Sequence, residues 1–442
     1  MRTVEADILV IGSGPGGAMT ATILAEAGLD VLLVEEGPDL SVESAPSYTM
    51  AEMDQKYRAG GLTTTMGKTN VTYIEGRCVG GASEINAALY HPPHDETLNG
   101  WARDFDIQEF SAERLAPEFD WLEAQVGVNP RQEGEAPNSK LLEAGAQALG
   151  WRTTEIKRFW TYPGGRRSMS RTLVPRALAA GARLRPETRV LKLHTRGRRA
   201  LYATARDAAG PLRIDFERVI VCCGAVQTPA LLRRSGIKKK VGDSLRLHPM
   251  VRIAARWDGP VNDPSFGVPV RQVEEFKPAL TLGCSHSSQA HIALWLDPDH
   301  PHKREVMADW RHVAVFYAAV CGEGRGSVRS LPVLNEPLVR YELTASDRSL
   351  MELGVQRLEQ LVRAAGAQEV YKPSELAVTT IHLFSSCPMG EHPDCPVDSY
   401  GRVKAMDNVM VNDASLLPTS PGVNPQATIM AIARRNARHW AG

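Results

Sequence analysis

The chain has no surplus of charge, no long apolar run and no cysteine framework, and each absence removes a class of function. Lys plus Arg and Asp plus Glu both number 51 in 442 residues, so the formal net charge is zero. A balanced chain has no field to hold a phosphate backbone or an anionic membrane surface, which argues against nucleic acid and membrane partners. No stretch reaches the ~18 apolar residues of a membrane-spanning helix. Met1-Arg2-Thr3 leads almost directly to the apolar Ile8 to Ile11, without the parts of a secretory signal. Seven cysteines, an odd number that includes the neighbours Cys222 and Cys223, do not make a disulfide scaffold. The expectation is a soluble cytoplasmic protein with reduced thiols. There are no internal repeats and no linker long enough to separate independent modules. What remains is a chain 43% hydrophobic and 23% charged, ordinary for large globular cores, and long enough for roughly two to three domains.

The first 37 residues read as a βαβ unit. An apolar strand, Asp7 to Ile11, meets Gly12-Ser13-Gly14-Pro15-Gly16-Gly17, and a helix follows that Gly28 closes. A second strand, Val31 to Val34, ends in Glu35-Glu36-Gly37. Helical patterns such as Ser139 to Gly150 alternate with loops as far as about residue 171. Short strands are expected from Leu184 to Gly224, and alternating strands between about 250 and 345. Asp347 is read as the start of a long amphipathic helix that stops at Gly366. A last strand, Val409 to Asn412, leads to a helix beginning near Gln426.

Gly12, Gly14 and Gly17 fit G-x-G-x-x-G between a strand and a helix. The first permits the tight turn, the second lets a pyrophosphate approach the backbone, and the third allows close helix–strand packing. Glu35 ends the second strand, where a carboxylate accepts hydrogen bonds from a ribose diol. That pattern reads as dinucleotide binding and leaves NAD and FAD undivided.

Three further segments resemble the glucose–methanol–choline (GMC) oxidoreductases, FAD-dependent enzymes that oxidise alcohols. Gly76-Arg77-Cys78-Val79-Gly80-Gly81-Ala82-Ser83-Glu84-Ile85-Asn86 is similar to one family signature. Gly224-Ala225-Val226-Gln227-Thr228-Pro229 through Gly236-Ile237 is similar to a second, with Lys238 in place of its final glycine. His382, Cys387-Pro388-Met389-Gly390, Val411-Asn412-Asp413-Ala414-Ser415 and Asn424-Pro425-Gln426-Ala427-Thr428 follow the order of the family's C-terminal elements.

The resemblance implies an α/β fold, with a Rossmann-like FAD-binding domain and a second, sheet-plus-helix substrate-binding cap. It divides the chain into residues 1–92, 172–248 and 377–442 for FAD, and 93–171 and 249–376 for the cap. Arg77, Gly80, Gly81 and Ser83 belong to the implied cofactor site, the glycine pair lying against the flat ring. Asn86 would bond near the flavin or satisfy a buried turn, and Val190 would meet the adenine or simply fill the core. Asp413 and Ala414 would lie beside the ribityl chain. The helix starting near Gln426 and Thr428 would turn its positive end to the flavin pyrimidine.

His382 is the implied base for the hydroxyl proton, with Asn424 orienting the alcohol. His248, in Leu247-His248-Pro249, reads as structural. Covalently flavinylated members carry a histidine where Ile85 stands, so FAD is expected to be dissociable. The chain is shorter than most members, which implies a reduced cap, with a bulky polar substrate or a homodimer over the mouth.

The expected reaction is oxidation of a primary or secondary alcohol to a carbonyl, with oxygen or another electron acceptor. A polyol or aminoglycoside-type amino-sugar alcohol is the leading substrate class; long-chain or sterol alcohols, and a flavin-dependent lyase reaction, stand as alternatives. Glu274, Glu275, Asp297, Asp299 and Asp309 read either as receivers of a cationic substrate or as surface solubility. Cys387, His392 and Cys395 do not make a convincing zinc site, and no metal is expected.

Overall fold

The structure is a computed structural model that describes residues 1–41, 44–132, 134–263, 269–296, 300–331, 334, 336–373 and 377–442. In chain order the elements that build the site are β1 (Arg2–Ile11), α1 (Pro15–Glu26), β2 (Val31–Val34), β3 (Arg183–Arg185), β4 (Arg189–Arg196), β5 (Arg199–Asp207), β6 (Gly210–Val221), α2 (Gly224–Arg234), β7 (Met250–Arg256), β8 (Arg271–Val273), β9 (Leu280–Cys284), β10 (Val313–Val320), α3 (Ala345–Ala364), β11 (Val409–Val411) and α4 (Gln426–Ala441).

Among the described residues the first sheet has the order β4-β5-β6-β1-β2-β3, with β11 beside the far end of β6. Its centre is parallel: Ile8 to Ile11 lie between Val31–Val34 and residues 218–221. Both faces there are covered, so these strands are continuous apolar runs rather than alternating ones. The strands expected to be short are long, because Gly197 and Gly210, both at positive φ, turn β4, β5 and β6 tightly into a meander. α1 packs against α4. A Cβ at Gly17 would sit 1.8 Å from the Gly12 carbonyl oxygen, so only glycine lets α1 come this close to the strand end.

The second sheet runs through Thr63–Thr64, Val71–Tyr73, Val378–Thr380, β7, β10, β9, β8 and Thr153–Glu155. α3 lies on β7 and β10. It begins two residues before Asp347, because Thr344 is its N-cap: the Thr344 hydroxyl accepts from Asp347 N–H, and the Asp347 carboxylate accepts from Thr344 N–H.

Two large cores result, one around each sheet. They divide the chain differently from the expected domains. Leu98, Trp101, Leu115, Phe119 and Leu122 belong to the first core, although 93–171 was assigned to the cap. Val71, Tyr73 and Val378 belong to the second, although their segments were assigned to the FAD side. The reason is packing: the helix Ala112–Leu122 lies on α4, while Val71–Tyr73 is hydrogen-bonded to Val378–Thr380 at the edge of the second sheet. We propose that the division into domains follows these cores. No helix among the described residues is long and apolar enough to cross a membrane.

Candidate active site

A cavity of about 380 Å³ runs between the two cores. Gly12, Gly14, Glu35, Gly81, Asn86, Val190, Asp413, Ala414, Gln426, His382 and Asn424 line it, so these sequence-nominated residues converge from distant segments. Gly17, Arg77, Gly80, Ser83 and Thr428 lie behind the wall instead. Arg77 is half exposed on Glu36 at 3.2 Å, and Gly80 N–H donates to Ser13 Oγ at 3.0 Å. Ser83 Oγ bridges the Gly80 carbonyl and Met169 N–H, and the Thr428 hydroxyl is buried.

At one end the wall is bare backbone. A Cβ at Gly14 would have no neighbour nearer than Gly81 Cα, 3.9 Å away, and one at Gly224 would meet nothing within 4 Å. α1 starts from Gly14 and α4 from Pro425 without a side-chain cap, which leaves first-turn N–H groups for an anionic or carbonyl ligand. Such a cradle fits the pyrophosphate and flat ring of FAD. Glu35, buried, accepts from Ser13 N–H (3.0 Å), Ser13 Oγ (2.8 Å) and Gly37 N–H (2.9 Å). Oε1 takes only one of these bonds and keeps capacity for a ligand hydroxyl.

Asp413 is different: Gly224 N–H and the Thr228 hydroxyl bond one oxygen, Ser415 N–H and Oγ the other. Its carboxylate is thus fully used in joining α2 to the Ala414–Leu416 turn. Asn86 donates to Gln426 Oε1 at 2.6 Å and accepts from Ala88 N–H at 2.8 Å.

At the other end, Arg246–Leu247 pairs with Leu383–Phe384, and this short ladder brings His248 to His382. Asn424 Nδ2 lies 3.3 Å from His382 Nε2, and the two Nδ1 atoms of His382 and His248 lie 3.1 Å apart. His248 Nε2 meets Ser420 Oγ, which also accepts from Gly422 N–H at 3.1 Å. His91 also lines the cavity, and its Nδ1 is buried without a hydrogen-bond partner among the described residues. Burial holds His382 well below the usual imidazole range, His248 down to about 3 and His91 down to about 4. All three rings are neutral at pH 7. With Nε2 of His382 accepting, its proton sits on Nδ1 and is donated to His248, which donates in turn to Ser420.

His248 was read only as structural, although its Leu-His-Pro setting had singled it out. His91 and Ser420 gave no signal, since neither belongs to a spaced pattern. The carboxylates considered for a cationic substrate do not line the cavity: Glu274 pairs with Lys277, Glu275 with Arg152, and Asp309 with Arg256 and His312. Asp297 and Asp299 lie outside the described residues. Cys387 and Cys395 are buried thiols, and Cys395 Sγ donates to the Met389 carbonyl.

A glycine-lined dinucleotide cradle joined to a neutral histidine–amide pair defines a dinucleotide-dependent oxidoreductase. The GMC oxidoreductase family models match residues 53–250 and 323–433, and a Rossmann-like NAD(P)-binding model matches residues 10–70. An uncharacterized GMC-type oxidoreductase of Sinorhizobium fredii is 38% identical over 98% of this chain and 94% of its own. A long-chain-alcohol oxidase of Arabidopsis thaliana is 25% identical over 97% of this chain and 68% of its own, and the paromamine 6'-oxidase of Streptomyces fradiae 28% over 99% and 91%. A solved pyridoxine 4-oxidase shares the fold with a TM-score of 0.80 at 20% identity, covering 98% of this chain and 99% of that one. The chain belongs to the GMC oxidoreductase family. It is an FAD-dependent oxidoreductase acting on the CH–OH group of a small-molecule alcohol.

Proposed function

We propose that the substrate is a polyol or amino-sugar alcohol, that His382 is the base and that Asn424 positions the reacting hydroxyl. The observation that carries this reading is the 3.3 Å approach of Asn424 Nδ2 to His382 Nε2 on the wall of the cavity. An alcohol oxygen entering between these atoms donates its proton to Nε2 and accepts from Nδ2. FAD, when bound, supplies the acceptor for the hydride that leaves the same carbon. Gly14, Gly81, Gly224, Glu35 and the first turn of α4 hold it, without a covalent bond, since Ile85 stands where a linking histidine would be.

His382 can take a proton only while Nε2 is bare. His248 and Ser420 support that state by accepting in sequence from Nδ1–H and from His248 Nε2–H. Neutral polar groups nearby suit a hydroxylated substrate better than a long alkyl chain: Gln272, Thr281, Ser285 and Tyr317 all line the cavity. The paromamine oxidase among the relatives favours the same class.

Anaerobic mixing with a panel of polyols, amino-sugar alcohols and long-chain alcohols tests the reading. Bleaching of the flavin by the first two classes is expected. Carbonyl formation without bleaching would point to a lyase, and bleaching by long-chain alcohols alone would overturn the substrate class.

A further inference from the structure

Four residues stand in one row across the second sheet. Arg252 on β7 is opposite Tyr317 on β10, Tyr317 is opposite Gly283 on β9, and Gly283 is opposite Gln272 on β8. Arg252, Tyr317 and Gln272 line the cavity that also receives His382 and Asn424. Gly283 makes the row possible. A Cβ there would fall 2.5 Å from the Tyr317 phenol carbon and oxygen, so only glycine lets the ring lie across β9. The phenol oxygen thereby accepts from Gln272 Nε2 at 2.9 Å.

Two hydrogen-bonding capacities are left over. Gln272 is 3% exposed, and its Oε1 is buried without a partner among the described residues. The Tyr317 hydroxyl, having accepted, still has its own proton to donate. A buried acceptor left unmet destabilises the fold unless a ligand group satisfies it, so this pair awaits one. A hydroxyl satisfies both partners at once, donating to Oε1 and accepting from the phenol. An ammonium only donates, and here it would lie in the same row as the Arg252 guanidinium, which is charged at neutral pH. An alkyl chain satisfies neither.

We propose that Gln272 and Tyr317 form a subsite for a second hydroxyl of the substrate, so that the preferred alcohols are neutral polyhydroxylated molecules. This rests on the reading of the cavity as an alcohol-oxidation site and narrows it from amines towards hydroxyls.

The test uses dithionite-reduced holoenzyme, which cannot turn over. Cyclohexylmethanol, its 2-, 3- and 4-hydroxy derivatives and 4-aminocyclohexylmethanol are titrated into it by calorimetry. At least one hydroxy derivative should bind about tenfold more tightly than the parent, and the amine no more tightly. Gln272→Leu, and separately the nearly isosteric Tyr317→Phe, should bring that advantage below about twofold. Equal binding of the parent and every hydroxy derivative, tighter binding of the amine, or an advantage retained in either variant overturns the subsite. Failure of a tightly bound hydroxy derivative to bleach the oxidised enzyme would instead remove the oxidation reading and leave the subsite standing.

Discussion

The two ends of the cavity solve opposite electrostatic problems. At the end near Glu35, charge is permanent and paired: Glu36 meets Arg58 at 2.9 Å, Arg77 at 3.2 Å and Arg189 at 3.7 Å, while Arg58 also meets Glu75 and Glu336. At the end near His382, the chain Asn424, His382, His248, Ser420 carries no formal charge and runs in one donor-to-acceptor direction. Charges that must stay are neutralised by fixed partners. The proposed base is kept neutral by burial, its Nε2 lone pair facing the Asn424 amide on the cavity wall.

Removing one partner at the charged end should give the largest effect. Arg58→Met leaves Glu36 and Glu75 with a lost counter-charge in a largely buried setting, and denaturant unfolding should show a loss of about 3 kcal/mol. An unchanged midpoint would mean that the network is not held by Arg58. At the neutral end, His382→Ala should keep its flavin, read from the ratio of flavin to protein absorbance. Its anaerobic reduction should slow by about 10² or more, about 2.7 kcal/mol in barrier. Wild-type reduction in that variant would break the assignment of the base.

The neutral rings also predict a pH dependence of stability. His248 and His291 are held down to about 3 by burial, against an ordinary value of 6.5. Between these values the unfolded chain binds more protons than the folded one. Stability is therefore complete above pH 6.5 and falls as pH drops towards 3, by about 1.4 kcal/mol per pH unit for each such histidine. His291→Gln should flatten the slope measured between pH 6.5 and 5, and an identical slope would contradict the burial argument. The smallest effect belongs to a solvent-facing pair. Arg183 meets Asp30 at 2.9 Å with both side chains 46% exposed, and Arg183→Ala should cost less than about 1 kcal/mol. A loss equal to that of Arg58→Met would erase the contrast between enclosed and open charge.

Local chemistry was readable wherever one short segment carries it. The strand Val31–Val34 stands as read, and Gly12 and Gly14 of the first turn lie at the cavity while Gly17 packs behind it against the Gly12 carbonyl. His382 and Asn424 were nominated through the family's motifs, and the structure sets them 3.3 Å apart. Asp413 lay in the motif, and two of its carboxylate's four donors come from Ser415 in the same motif, but the other two, from Gly224 and Thr228, belong to a segment that no local pattern displays. The start of α3 was misplaced because an aspartate at the third helical position resembles a cap when its threonine partner is overlooked.

The amino-acid sequence by itself determined the βαβ entry and the glycine cradle, and its motifs nominated the proposed base and amide. Each is a property of neighbouring residues, or of a motif that turns and helix ends constrain locally. Tertiary structure alone decided which nitrogen of His382 faces Asn424, that His248 and Ser420 join its hydrogen-bonded chain, and that Gln272 and Tyr317 meet across Gly283. Those facts depend on strand register and on segments 42 to 172 residues apart. A one-residue slip of register would turn the same side chains to the opposite face of the sheet.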